Sequence, residues 1–239
     1  MRDARCPGGI RAGQLNLLVI KRLVIGDIAV TMVDLALRGL VSVEESADSW
    51  QVRLRPVSLS RTGQQSLPGY ERKLLDGLAG REPALRLADL ALTLEPTLAR
   101  VRASLVREAV SQGWIRRLHR RELTAKGEHL VASLGRFERQ LRQLKAESGE
   151  QALTGNLLPY ALHYALVSRD QVPLARFAAA WVQAFGDLAG WRAAPRPRPG
   201  FSDRGMYDPP LLGGCRGSRR PRPGRWSVRL TSARYGVEH

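Results

Sequence analysis

Twice in this chain an apolar helical period stops at a glycine and gives way at once to strand-like alternation, and that order constrains the fold more than any other feature. In VTMVDLALRGLVSVEES the period of Val33, Leu35 to Leu37 and Leu40 is interrupted at Gly39, after which Val41 and Val43 alternate. In LVREAVSQGWIRR the interruption falls at Gly113, and WIRRL follows. Glycine ends helices because it adopts the left-handed backbone conformation without a Cβ penalty. Each stretch therefore predicts helix, cap and strand in that order.

The elements around these two units extend the pattern. Asp27 is placed to cap a helix over 28–38, and SADS turns a strand over 40–45 into WQVRLRPV. There Trp50, Val52 and Leu54 share one face and Gln51, Arg53 and Arg55 the other, the signature of a hairpin with one buried side. Residues 58–68 read as a linker. Tyr70, Leu74, Leu75 and Leu78 then predict a first helix, 85–92 a short second one, and Pro96 the first turn of a third that runs to residue 112. Three helices followed by a hairpin is the order of a winged helix. Beyond Thr124, read as its cap, Leu130, Leu134, Phe137, Leu141 and Leu144 recur at alternating steps of four and three, which predicts a long amphipathic helix to about residue 146. Two apolar helical segments follow, LLPYALHYALV and LARFAAAWVQAF. The expected fold class is mainly α with short β-hairpins, an α+β chain of tandem winged-helix-like modules. Its expected parts are a loose N-terminal arm over 1–24, a partial first module over 25–62, and a second module with its long helix over 66–147. A helical segment over 148–191 and a disordered tail over 192–239 complete it.

Charge is uneven along this plan. Lys and Arg number 38 against 22 Asp and Glu, a net +16, which favours polyanionic partners. Residues 192–239 hold 11 Arg against 3 acidic residues and 7 of the 14 prolines, so half of that net charge lies where no apolar period exists to drive folding. Cys6 and Cys215 lie far apart without the spacing of a zinc or redox site. The apolar run from Leu15 to Val30 is cut by Lys21, Arg22 and Asp27, and no cleavable leader precedes it, so the expectation is a cytoplasmic chain.

QLNLLVIKR, DIAVTMVDLALRGLVSVEE, YERKLLDGL, GWIRR and LLPYAL occur here in one order over roughly 14–181. In that order and spacing the chain resembles the cytosolic C-terminal region of the YciQ-like predicted membrane proteins, a bacterial family of unknown function. Members of that family look like an extracytoplasmic β domain, membrane helices, and then this region. This sequence shows neither the β domain nor the membrane helices. The resemblance implies a position at the cytoplasmic face of a bacterial membrane and a protein partner there, and it implies no catalytic residues.

Candidate site residues come from the second module. On the expected third helix, Thr97, Arg100, Ser104, Arg107, Glu108 and Ser111 read as outward-facing. Arg100 and Arg107 can reach phosphate or base edges, and Arg116, Arg117, Arg120 and Arg121 make a cationic wing beside them. The four histidines are scattered, Glu128 and His129 are helix neighbours that point about 100° apart, and no phosphate-binding glycine loop is present. The expectation is thus a non-catalytic interaction or regulatory module with no cofactor, metal or small-molecule substrate, and DNA binding through 97–111 and 116–121 as the alternative.

Overall fold

The computed structural model describes residues 6–46, 49–55, 67–79, 85–116, 122–168, 170 and 172–186. All lie in the first of the two units into which the chain divides, Met1–Pro195. The described residues are mainly helical, with one three-stranded antiparallel sheet. Short 3-10 turns at Pro7–Gly9 and Ala12–Gln14 lead into α1 (Leu15–Val19) and α2 (Ile25–Leu37). The hairpin β1 (Val41–Ser46) and β2 (Ser49–Leu54) follows, then α3 (Gly69–Leu78), β3 (Leu85–Arg86) and α4 (Leu87–Ser111). α5 (Ala125–Ser148), α6 (Leu158–His163) and α7 (Pro173–Gly186) complete the order.

The helix ends explain the repeated sequence unit. After α2, Gly39 sits at φ +72°, its N–H bonds to Ala36 O at 2.9 Å, and Leu40 N–H bonds back to Leu35 O at 3.0 Å. After α4, Gly113 sits at φ +70° with the same two bonds, to Val110 O and Ala109 O, both at 2.9 Å. This pairing satisfies carbonyls that the helix itself leaves open; after α2 it turns the chain into β1, and after α4, among the described residues, into a single bridge, Ile115 to Leu123, rather than the expected strand. After α6 the same two bonds recur with Ala165 at φ +54° in place of glycine.

β1 and β2 pair antiparallel with Val43 opposite Val52, and Trp50 and Val52 face the core as their alternation predicts. β3 extends the sheet by pairing Leu85 with Val52. α2 is the central helix: nine of its residues are buried, spread around its whole circumference, as for a helix enclosed on all sides. α6 and α7 pack on it, and Phe177 of α7 meets Trp50 of β2 edge-on at 5.6 Å. Along α7, Phe177 is followed by Trp181 at 5.7 Å, and Trp181 stacks on Phe185 at 4.3 Å. α5 buries Leu130, Leu134, Phe137 and Leu141, the expected stripe, and Thr124 caps it by accepting from Gly127 N at 3.1 Å.

Three expectations are corrected. Asp27 is not the residue before the helix but its third residue, where its carboxylate accepts from Val24 N–H at 2.8 Å and so caps from inside the first turn. The first 24 residues do not form a loose arm over their described part: Ile10, Leu15, Leu17 and Leu18 are all buried in the common core. The break expected at Pro96 is absent, and one helix of 25 residues runs through it. Pro96 lacks an N–H, but it lies on the exposed side with Leu92, where the carbonyl that loses its donor can be hydrated.

Candidate functional site: a buried ionic cluster and an exposed helix face

Charged side chains gather where α2 ends and α3 begins. Arg38 lies just past the last turn of α2, one turn after Asp34, and Glu71 lies in the first turn of α3, so the helix dipoles favour Arg38 and Glu71 where they sit, and Arg38 offsets the unfavourable place of Asp34. The Glu71 side chain is fully buried. Its Oε2 accepts from Arg38 Nη2 at 2.6 Å and its Oε1 accepts from the Tyr70 hydroxyl at 3.1 Å, with Arg11 Nε 3.9 Å away. Arg38 Nη2 is also 2.9 Å from Asp34 Oδ2. Burial raises the pKa of Glu71, while Arg38 pulls it back toward the charged form. Tyr70, wholly buried beside that carboxylate, is held well above its usual value, so it donates and does not ionise. This cluster clamps two helices and the N-terminal turns together.

Two further polar groups sit in the same core. Asp27 accepts from Asn16 Nδ2 and from Val24 N–H, both at 2.8 Å, and its burial pushes its pKa up to about 7 against those two bonds. At the other end of the N-terminal turns, the Tyr160 hydroxyl donates to Ile10 O at 2.8 Å, and burial pushes the neighbouring Cys6 thiol up to about 12, an unreactive thiol. His163 is pushed down to about 4 by burial and packs edge-on against Tyr164 at 5.0 Å. Among the described residues no group of three His, Cys, Asp or Glu side chains is arranged to hold a metal ion.

The outward side of α4 differs from the sequence expectation in detail. Thr97 and Ser104 are buried, not exposed. Glu108 turns inward, accepting from Gln14 Nε2 at 3.4 Å, and burial raises its pKa. The Glu108 carboxylate, which read as outward-facing and would repel phosphate there, is therefore turned away from that face. Arg100 and Arg107 are exposed, seven residues apart and so on the same side, and Arg100 Nη2 donates to Thr97 Oγ1 at 3.2 Å. Arg116 is exposed just beyond the helix end, where its N–H bonds to Glu122 O. Arg117, Arg120 and Arg121 lie outside the described residues. Alongside the arginines run Leu92, Pro96, Ala99 and Ala103, all exposed, with Leu92 at 75%. No described helix is long and apolar enough to cross a membrane.

The ionic cluster had no local sequence signal, because Arg38 and Glu71 are 33 residues apart. The exposed row on α4 was hidden by reading Pro96 as a helix start. No family model, curated protein or solved structure matches this chain.

Proposed function

We propose that this protein is a non-catalytic interaction or regulatory module that docks through the outer face of α4, at the cytoplasmic face of a bacterial membrane as its resemblance to the cytosolic region of the YciQ-like family implies. The observation that carries the reading is the exposed row Leu92, Pro96, Ala99 and Ala103, an apolar centre on a helix whose opposite side is anchored in the core. Such a face on an otherwise well-packed body is the form of a helix-mediated docking surface. Two winged-helix-like units are the architecture we assign, the first partial over 25–62 and the second over 66–147. The two matching helix and glycine junctions support that assignment. The unbroken α4 and the pairing of β3 with the first hairpin depart from it. The test is a photo-crosslinking amino acid placed at Leu92 or Ala103, with Arg139 on α5 as the control. Protein adducts from the α4 positions and none from the control are expected. Adducts to nucleic acid, or none, overturn the reading.

DNA binding is the second reading, favoured by the alignment of Arg100 and Arg107 with Arg116 just beyond them. Its first-module counterpart has no support, since α2 is enclosed on all sides and presents no face to a groove. If duplex DNA is the ligand, replacing these three arginines with Ala lowers the salt dependence of binding by about 0.9 for each phosphate that is no longer neutralised.

A further inference from the structure

Charge on the outer side of α4 is sorted along the helix: Asp89 and Glu95 are exposed in its first half, Arg100, Arg102 and Arg107 in its second. At 100° per residue, Leu92, Ala99 and Ala103 fall along the centre of the exposed side, with Pro96 close beside them. Asp89 and Arg107 project together on one flank, Glu95 and Arg102 on the other. A helix with acid at one end, base at the other and an apolar centre is complementary to itself when inverted. From this order we infer that the occupant of the α4 face is a second copy of this chain, paired antiparallel about a twofold axis near residues 96–99; the inference rests on the docking reading above.

One register satisfies the centre and both flanks together. When Leu92 faces Ala103 of the partner subunit, Pro96 faces Ala99 of the partner subunit, and the largest exposed apolar side chain of this face meets one of its smallest. In antiparallel pairs each flank meets its own kind, so Asp89 falls opposite Arg107 of the partner subunit, and Glu95 opposite Arg102 of the partner subunit. The twofold axis makes each contact twice, as in any isologous interface. Ala99 and Ala103 let the helix axes approach to the short end of the ~8–10 Å range. A parallel pair would set Asp89 against a second Asp89 and Arg107 against a second Arg107. A single helix pair covers less than the ~1,200–2,000 Å² of stable interfaces, so association is of micromolar strength and weakens with salt.

The test is sedimentation velocity of the full chain, nuclease-treated, across the micromolar range. A dimer is expected, weakened about tenfold or more by Leu92→Asp, and similarly by Asp89→Arg or Arg107→Glu alone. Asp89→Arg combined with Arg107→Glu in one chain restores it, and so does mixing the two single variants, because both mixed pairs are then opposite in sign. Asp89 and Arg107 are about 27 Å apart along one helix, so recovery can only act between chains. A chain that sediments as a monomer throughout overturns the proposal, as does a dimer indifferent to these substitutions. A monomer whose position 92 still crosslinks to a different protein overturns the second copy and leaves the docking face standing, whereas no crosslink from that face removes both.

Discussion

Asp27 shows how one side chain can set the acid response of the fold. Its pKa rises from 3.8 to about 7, so the folded state holds a proton that the unfolded chain releases, and stability falls as pH rises from about 4 to about 7. His163, pushed down to about 4, contributes with the opposite sign over part of that window, so the informative quantity is a difference. Asp27→Asn keeps an acceptor for Val24 N–H and removes the titration; urea unfolding of the variant relative to the parent should show a gap that widens in the variant's favour across pH 4 to 7. Backbone strain gives a second residue-level expectation. Ala165 holds the position that glycine holds after α2 and α4, at φ +54°, and its N–H bonds to Leu162 O. Ala165→Gly should stabilise by about 0.5–1 kcal/mol in chemical denaturation, the strain relieved less the added freedom of the unfolded chain. A loss of stability there would mean that the helix does not end as described.

Among the elements, α4 separates two accounts of Pro96. A proline in the first turn of a helix costs nothing, whereas inside an exposed helix it costs up to ~3 kcal/mol. Pro96→Ala should therefore raise stability by about 1–3 kcal/mol and add helical circular dichroism; no change would restore a helix boundary at residue 96. The elements most legible in the sequence were those with a long period or a local terminator. α5 could be read from its steps of four and three, and α2 from Gly39. The hairpin strands were legible because Trp50 and Val52 alternate with Gln51 and Arg53, whereas β3 lies at the start of a stretch, 85–92, read as helix. What escaped was decided at a distance. GGIRAGQ has the composition of a loop, yet Ile10 and Ala12 are held in the core by partners far along the chain. Thr97 and Ser104 looked like surface residues because their polarity says nothing of how closely α3 and α4 approach. On the candidate site, the sequence placed Arg100 and Arg107 on the exposed side and misplaced Glu108, whose direction depends on Gln14, 94 residues away.

At the level of the whole molecule, segments that read as separate modules share one hydrophobic cluster, from Ile10 through α2 to Phe185. Unfolding of the described region should be a single cooperative event. Ile10→Ala and Phe185→Ala, at opposite ends of the cluster, should each cost about 2–5 kcal/mol and shift the same transition, as seen by fluorescence and circular dichroism together. Two transitions, each moved by only one of these substitutions, would mean separate domains. The Tyr160 hydroxyl on the Ile10 carbonyl joins positions 150 residues apart, and α7, the last described element, covers α2, near the first. That closure has a consequence during synthesis. The enclosed α2 leaves the ribosome without its cover, and at ~5–20 residues per second it waits on the order of 10 s for α7 to be made. Through that interval the nascent chain exposes the apolar side of α2 that α7 later covers, and is then open to aggregation.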